Sequence, residues 1–260
     1  MRAKNPDLHG SAPDQSDAVL ILIDVINDLD FDGSDDLLRA AVPMADRIAD
    51  LKRRAKAAGL PVVYVNDNFG RWQSNFTKIV DHALGPESKG RPIVERLRPD
   101  DDDYFVLKPK HSGFFSTSLD ILLDYLGAET LILAGVAGNI CVLFTANEAY
   151  MRDFSLVVPA DCVASNTEEE NRVALDQIAR VLKADTRPSV ECRPSRSPDP
   201  PDVPTVPAPS PPRLGPPRPV SLSGDDGIDP TGGACRASVD DGGIRLHRVL
   251  GRPGAPRRGA

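Results

Sequence analysis

The amino-acid sequence predicts a three-layer α/β/α fold, in which a doubly wound and mostly parallel β-sheet is covered by helices on both faces. The first sign is the run from Ala18 to Ile23, six consecutive apolar residues that are followed by Asp24. A strand without polar alternation is typical of a parallel sheet that is buried on both faces. The second sign is the alternation of strand and helix patterns from there to about residue 192, which favours the same architecture.

Each further element follows from its own local pattern. Apolar residues at helical spacing predict a helix over residues 43–58, and Gly59 stands where a C-cap is expected. Thr167 and Glu170 have the spacing of a capping box, which opens a helix that runs to about residue 183. Apolar and β-branched runs predict two more helices, 118–126 and 140–152, and five more strands, 61–65, 103–107, 130–136, 155–159 and 189–192.

The composition of the chain changes near residue 193. Fifteen of the 25 prolines lie beyond Arg193, and that segment has no aromatic residue. Such a stretch cannot bury enough apolar surface to offset the entropy of ordering it. We therefore expect a flexible N-terminus (1–16), one folded domain (17–192) and a disordered Pro/Arg/Gly-rich tail (193–260). A tail of this composition also fits an off-frame translation of GC-rich DNA, or a PxxP-type docking segment.

Charge and composition argue against several functional classes. Ten arginines and seven aspartates beyond residue 192 give the tail a charge of +3. Because the whole chain has a net charge of −7, residues 1–192 carry a charge of −10. An acidic domain has no electrostatic footprint for nucleic acid. No run reaches the ~20 apolar residues of a membrane span, the N-terminus lacks a signal-peptide core, and the four cysteines show no paired spacing. We expect a cytoplasmic protein that has no cofactor and that binds neither nucleic acid nor membranes.

Chemically active side chains fall at the ends of four predicted strands. Asp24 ends the first strand, the trio Asn66-Asp67-Asn68 ends the second and Lys108 ends the third, while the turn that leads to Cys141 follows the fourth. In open α/β sheets, ligands bind beyond the carboxyl ends of the strands. The sequence therefore predicts that an acid, a polar trio, a base and a thiol meet at one site.

The acid, the base and the thiol suit nucleophilic catalysis by a cysteine. Cys141 begins a predicted helix, and the helix N-terminus and the Lys108 ammonium are expected to lower its pKa and favour the thiolate. Asp24 would accept the thiol proton and later deliver it to a leaving amine. Lys110 is a rival to Lys108, although Pro109 interrupts the strand between them. The structural alternatives are a buried thiol, a surface lysine and a strand-ending aspartate.

Three blocks of the sequence, in order along the chain, carry a family resemblance. They are Leu22-Ile-Asp-Val-Ile-Asn-Asp28, Leu107-Lys-Pro-Lys-His-Ser-Gly-Phe114 and Gly135-Val-Ala-Gly-Asn-Ile-Cys-Val142. They resemble the signatures of the isochorismatase-like cysteine hydrolases, which include nicotinamidases, N-carbamoylsarcosine amidases and ureidoacrylate amidases. The resemblance spans about residues 18–190 and implies a six-stranded parallel sheet.

The same resemblance implies the roles of individual residues. It implies an Asp24–Lys108–Cys141 triad that acts on a small-molecule substrate. It also implies a cis peptide bond before Ala137, and an oxyanion hole formed by the backbone N–H groups of Ala137 and Cys141. Members of this family commonly assemble, so we expect a homo-oligomer on the same ground.

The chain departs from the family pattern at two places. Ile26 replaces the usual glutamine of the first block, so a polar contact near the pocket is missing. Residues 66–72 lack the histidines of the nicotinamidase zinc site, so no metal is expected. Because Cys141 is retained, the resemblance implies attack on an amide-type C–N bond rather than cleavage of a vinyl ether. The expected substrate-binding residues are Asn66, Asn68, Phe69, Trp72 and Phe114, with core packing as the alternative for the three aromatic ones.

Two other functions fit part of this pattern. Receiver domains also carry an aspartate and a lysine at strand ends, but they place the phosphoacceptor aspartate on the third strand and an acidic pair on the first. This chain has a different order. A family member that has lost turnover could instead serve as a binding or scaffold subunit. All three triad positions are filled here, which favours an active hydrolase.

Overall fold

A computed structural model of the chain describes residues 15–69, 75–193, 235–240 and 243–248. The chain divides after Val203 into two units, and the first of them alternates strands with helices. Its strands are β1 (Ala18–Ile23), β2 (Val62–Asp67), β3 (Tyr104–Lys108), β4 (Thr130–Val136), β5 (Ser155–Val157) and β6 (Val163–Ala164), and its helices are α1 (Ser34–Ala57), α2 (Phe76–Ala83), α3 (Arg91–Arg96), α4 (Leu119–Leu126), α5 (Leu143–Tyr150) and α6 (Glu168–Arg180).

The six strands of the first unit form one parallel sheet. Five of them follow the order β3-β2-β1-β4-β5, and the short β6 also pairs with β4. Each strand pair in this sheet is parallel, from β1 with β2 to β4 with β6. The order reverses direction at β1, where the chain leaves one half of the sheet to build the other. The predicted six-stranded α/β fold is thus confirmed, and the carboxyl ends of β1 to β4 lie at one edge.

Alternate residues of β1 enter two separate cores, which explains the unbroken apolar run. Leu20 and Leu22 pack with the helices α1, α2 and α3 on one face of the sheet. Val19, Ile21 and Ile23 pack with α4, α5 and α6 on the other. Because successive side chains of a strand point to opposite faces, a strand covered on both sides has no position for a polar residue.

The helices and the last strand differ from the prediction in three ways. Helix α1 begins at Ser34 rather than at residue 43, so Pro43 lies inside it. The short helices α2 and α3 and the two-residue strand β6 were not predicted. The predicted strand 189–192 is wrong: these residues form a turn in which the Glu191 N–H donates to the Pro188 carbonyl. The β-branched Val190 that suggested a strand is 69% exposed, so its side chain packs in no core.

The second unit contributes one antiparallel strand pair, β7 (Cys235–Asp240) and β8 (Gly243–Arg248). These strands lie within the tail for which the sequence predicts disorder. The other residues of that tail after residue 193, and residues 1–14 of the predicted flexible N-terminus, lie outside the described residues. Within the described part of the chain, no helix has the length and apolar character needed to cross a membrane.

Candidate active site

Asp24, Lys108 and Cys141 meet at the carboxyl edge of the sheet. The Lys108 Nζ lies 2.8 Å from Asp24 Oδ2 and 3.5 Å from Cys141 Sγ. The Cys141 thiol also forms a hydrogen bond with the Asp24 carboxylate. Lys108 and Asp24 are buried, whereas Cys141 remains partly exposed. The three side chains therefore form one contact set, in which Asp24 and Lys108 are buried and Cys141 is the partly exposed residue.

The close approach of β1 and β4 sets the position of Asp24. Gly135 on β4 pairs with Ile23 on β1, and a Cβ at Gly135 would lie 2.1 Å from the Ile23 carbonyl oxygen. Its φ of +125° also excludes most side chains. The Asp67 N–H then donates to Asp24 Oδ1 at 2.7 Å. Backbone geometry on two neighbouring strands thus determines where the carboxylate lies.

Cys141 lies in a five-residue π-helical turn, Gly138–Val142, that precedes α5. The peptide bond between Val136 and Ala137 at its start is cis, which confirms the arrangement that the resemblance implies. The Ala137 carbonyl accepts hydrogen bonds from the N–H groups of Ile140 and Val142, both at 3.1 Å. The Cys141 carbonyl accepts from Thr145 Oγ1 at 2.7 Å. Both carbonyl groups therefore already accept hydrogen bonds from residues that follow them in the turn and in α5.

A polar cluster from β6 and α6 packs against this turn. Ser165 Oγ accepts from the Asn139 N–H at 3.2 Å and donates to Asn171 Oδ1 at 3.1 Å. Asn171 Nδ2 donates to the Val163 carbonyl at 3.0 Å. A Cβ at Gly138 would lie 2.4 Å from Asn171 Oδ1 and 2.9 Å from Ser165 Oγ. The glycine therefore lets the turn Gly138–Val142 lie directly on the Ser165–Asn171 pair.

Burial and charge act in opposite directions on the ionisable groups. Burial raises the pKa of the Asp24 carboxyl, although the Lys108 ammonium and the hydrogen bond from Cys141 oppose the rise. Burial disfavours the Lys108 ammonium, but the negative charge of Asp24 prevails, with smaller contributions from Cys141 and Asp67, and raises the pKa of this lysine. Lys108 therefore keeps its charge at neutral pH.

The Cys141 thiol differs from the sequence-based expectation. Burial, and then the charge of Asp24, raise the pKa of Cys141 to about 12, and Lys108 offsets only part of this rise. The expected low-pKa thiolate is thus wrong for the resting site, because burial and the neighbouring Asp24 carboxylate both disfavour a negative charge on the sulfur. At this pKa the thiol is protonated at neutral pH.

The asparagines of the polar trio hold the backbone around the site. The Asn66 Oδ1 accepts from the Ile26 N–H at 3.2 Å, and its Nδ2 donates to the Ile26 carbonyl at 2.7 Å. Asn66 is fully buried, so its amide positions the segment after Asp24 and offers no exposed group to a ligand. Asn68 is also buried, and its backbone N–H donates to the Lys108 carbonyl at 3.2 Å.

The expected aromatic pocket residues have different surroundings. Phe69 is 37% exposed, and its backbone N–H donates to Asp67 Oδ1, two residues earlier, at 2.6 Å. Phe114 is buried. Its ring centroid lies 6.1 Å from that of Phe154 and 4.5 Å from the Arg152 guanidinium. Phe114 therefore packs in the core, which was the alternative to a place in the pocket. Trp72 lies outside the described residues.

Asp67 joins the site although the sequence did not single it out from its trio. Its Oδ2 lies 3.5 Å from Lys108 Nζ, and Asp67 pairs directly with Lys108 in the register of β2 and β3. That register, which the sequence does not specify, was the missing signal. The exposed Lys110 is not part of this site.

Comparison with known proteins identifies the family. The family model described as the isochorismatase domain matches residues 18–186. The chain belongs to the isochorismatase family, and it is a hydrolase of that family. It is 41% identical over 171 residues to the isochorismatase family protein YaaI of Bacillus subtilis strain 168, a match that covers 66% of this chain and 93% of that protein.

Other members of the family are more distant. The ureidoacrylate amidohydrolase RutB of Methylorubrum extorquens is 31% identical over 177 residues, with 57% of this chain and 70% of that protein covered. The crystal structure of N-carbamoylsarcosine amidase from Thermoplasma acidophilum superposes with a TM-score of 0.51 at 27% identity, over 67% of this chain and 98% of that chain. The nicotinamidase SaPncA from Staphylococcus aureus shares the fold, with a TM-score of 0.52 at 21% identity over 66% of this chain and 98% of that one.

Proposed function

We propose that this hydrolase cleaves an amide-type C–N bond of a small molecule through a thioester on Cys141. The observation that carries the proposal is the contact set of the partly exposed thiol: a carboxylate within hydrogen-bonding distance and an ammonium at 3.5 Å. A nucleophile beside a base, with a third group that orients the base, is the arrangement of covalent hydrolytic catalysis. Relatives named as amidohydrolase and amidase support the same bond type.

The first step transfers a proton and forms a C–S bond. The Asp24 carboxylate takes the proton of the Cys141 thiol as the sulfur attacks the amide carbonyl carbon. Because burial raises the pKa of Asp24, the carboxylate is a stronger base than an exposed aspartate. Lys108 stabilises the developing thiolate at 3.5 Å and keeps Asp24 in place through the 2.8 Å ion pair.

The tetrahedral intermediate places a negative charge on the former carbonyl oxygen. In the proposal, the N–H groups of Ala137 and Cys141 stabilise this oxyanion, in a turn whose carbonyls are already bonded on the opposite side. Removing one such donor costs about 3–4 kcal/mol of transition-state stabilisation in other hydrolases. Protonated Asp24 then donates its proton to the departing nitrogen, the C–N bond breaks and a thioester remains.

Hydrolysis of the thioester reverses these roles. Asp24 accepts a proton from water, the hydroxyl oxygen attacks the thioester carbonyl, and the C–S bond breaks. The thiolate regains a proton from Asp24, and the carboxylic acid product leaves. One carboxylate therefore acts first as base and then as acid, in both half-reactions. The reaction needs no group beyond the triad, the turn and water.

A direct test uses ammonia release from a panel of primary amides and ureido compounds. We expect the wild-type protein to hydrolyse at least one of them, and the Cys141→Ala variant to lose that activity by at least about a thousandfold. The Asp28→Asn variant is a matched control, because Asp28 lies on the same segment as Asp24 but contacts His82 instead of the triad. Turnover that survives in Cys141→Ala would refute the proposal. An unreactive wild type would favour the lapsed binding or scaffold subunit.

A further inference from the structure

Asp67 is a carboxylate of the site that the triad chemistry does not use. Its Oδ2 lies 3.5 Å from Lys108 Nζ, longer than the 2.8 Å contact between that ammonium and Asp24. The Asp67 side chain is 33% exposed, against 7% for Asp24 and 0% for Lys108. Lys108 is therefore committed mainly to Asp24, and Asp67 retains acceptor capacity that faces solvent.

Asp67 lies close enough to the nucleophile to contact a small substrate. Lys108 Nζ is 3.5 Å from both Asp67 Oδ2 and Cys141 Sγ, so the oxygen and the sulfur are separated by no more than the sum of these two contacts. A molecule that presents its carbonyl carbon to the thiol spans that distance with two or three bonds. The Phe69 N–H, which donates to Asp67 Oδ1 at 2.6 Å, fixes the orientation of the carboxylate.

The charges of the described residues at this site are unbalanced. Two carboxylates, Asp24 and Asp67, contact the single Lys108 ammonium. The Cys141 thiol is protonated and neutral, so it adds no further negative charge. An excess negative charge repels an approaching carboxylate and attracts a cation or an N–H donor. The contact set therefore favours a substrate with a nitrogen group beside the scissile amide.

We propose that Asp67 is a specificity-determining residue that binds a nitrogen group of the substrate, and so selects neutral or cationic amides over amides that carry a carboxylate. This inference rests on the proposed function, since it concerns the substrate of the same thiol. In an opposing role, Asp67 only supports Lys108 and the Phe69 backbone, and its loss would change the hydrolysis of cationic and anionic amides in the same direction. The Asp67→Asn variant removes the negative charge and keeps an oxygen that accepts from the Phe69 N–H, so the two roles differ in whether its effect depends on the charge of the substrate.

The first experiment measures the charge preference at Cys141 without turnover. Cys141 is modified in the full-length protein with a cationic methanethiosulfonate, the trimethylammonium-ethyl reagent, and with the anionic sulfonato-ethyl reagent. Peptide mass spectrometry assigns modification to Cys141 rather than to the other cysteines. The ratio of the two rate constants does not depend on the thiolate fraction, which is common to both reactions, so it reports the local field.

We expect the cationic-to-anionic rate ratio to fall by roughly fivefold or more in Asp67→Asn, as a unit charge within about 7 Å requires even at the dielectric constant of water. The Asp176→Asn variant is the control, because it removes the same charge from an exposed position on α6 and should leave the ratio within about twofold of wild type. A ratio in Asp67→Asn equal to that of the control would overturn the inference.

The second experiment uses three amides that share the group CH2–CONH2: cationic glycinamide, neutral propionamide and anionic malonamate. We expect kcat/KM for ammonia release to be lowest with malonamate, and Asp67→Asn to lower it for glycinamide while raising it for malonamate. Faster hydrolysis of malonamate than of glycinamide by the wild type would overturn the inference while leaving the role of Cys141 intact. If none of the three is hydrolysed, the modification ratio decides alone. Turnover in Cys141→Ala, by contrast, would refute only the proposed function.

Discussion

Asp24 is held in a conformation that few residues adopt. Its φ is +51°, in the left-handed region, where aspartate is tolerated better than most side chains but still costs free energy. It follows β1 directly, its Oδ1 accepts from the Asp67 N–H and its Oδ2 pairs with Lys108. Strain of this kind persists only where surrounding contacts determine the backbone. The carboxylate is thus oriented before any substrate arrives.

The pH dependence of activity should report the burial of Asp24. A protonated carboxyl cannot accept the thiol proton, so activity falls as the pH drops through the pKa of Asp24. Because burial raises that pKa above 3.8, the protonated form persists to higher pH, and the acid limb of kcat/KM is expected above the value for an ordinary aspartate. Initial rates between pH about 3 and 8, with circular dichroism at each pH to confirm folding, measure it. A midpoint at or below that of an ordinary aspartate would contradict this mechanism.

Asn66 supports the site through two buried hydrogen bonds to the Ile26 backbone. The Asn66→Ala variant leaves the Ile26 N–H and carbonyl without these partners, which should lower the free energy of unfolding by about 2–4 kcal/mol. Asn166→Ala is the control: it removes a 3.0 Å bond from an exposed asparagine to the Gly33 carbonyl, at an expected cost below about 1 kcal/mol. Urea denaturation measures both. If the two variants lose the same free energy of unfolding, water replaces the Asn66 amide as the hydrogen-bond partner of the Ile26 backbone.

At the scale of elements, the turn Gly138–Val142, which carries Cys141, depends on its contact with β6 and α6. A methyl group at Gly138 would meet Asn171 Oδ1 at 2.4 Å and Val163 Cγ1 at 2.7 Å, so either the turn or its support must shift. Positioning errors of about 1 Å can cost catalysis about a hundredfold. The turn therefore tolerates substitution less well than its partial exposure suggests.

We expect Gly138→Ala to lower kcat by about a hundredfold or more, with a loss of stability of about 1–3 kcal/mol. Gly127→Ala is the matched control, since its φ is +77° but an added Cβ has no contact closer than 3.7 Å. That variant should lose about 1 kcal/mol of stability and keep its activity. Steady-state kinetics and urea denaturation on the same samples separate the two effects. Full activity in Gly138→Ala would show that the turn adapts to the methyl group.

The sequence predicts the strands better than the helices, and physics explains the difference. The run of β1 has only one interpretation, because residues 18–23 are apolar on both faces of the sheet. Helix α1 was predicted to start at Pro43 from apolar residues at helical spacing, but buried residues before the proline, Leu37 and Ala41, extend the same stripe towards Ser34. Helices α2 and α3 have eight and six residues, too few for a periodic signal.

The sequence likewise predicts some contacts of the site and not others. Position along the chain predicts that Asp24, Lys108 and Cys141 meet, because each follows the carboxyl end of a strand. The contact of Asp67 with Lys108 depends on the register of β2 with β3, and the Ser165–Asn171 support depends on where β6 and α6 pack. Neither is local in sequence. The pKa of Cys141 also depends on burial, which opposes the effect of a helix N-terminus and a lysine.

At the scale of the whole molecule, hydrogen bonds just before residue 193 attach the end of the predicted domain to the rest of the first unit. Arg54 on α1 donates to the Cys192 carbonyl at 2.9 Å and to the Ser189 carbonyl at 2.7 Å. Ser189 in turn donates to Asp161 through its N–H at 2.7 Å and its hydroxyl at 2.8 Å. The family match ends earlier, at residue 186. The folded unit therefore needs residues that the family pattern does not include.

Two shortened chains test where the functional unit ends. A chain that ends at residue 193 keeps the Arg54 and Asp161 contacts, so its thermal midpoint and activity should match those of the full chain. YaaI, which matches over 93% of its own length, leaves little room for a counterpart of residues 193–260. A chain that ends at residue 186 loses hydrogen bonds to two charged side chains, each worth about 1.5–3 kcal/mol, and should unfold roughly 5–15 °C lower. Loss of activity in the longer of the two chains would assign the tail a role in the native protein.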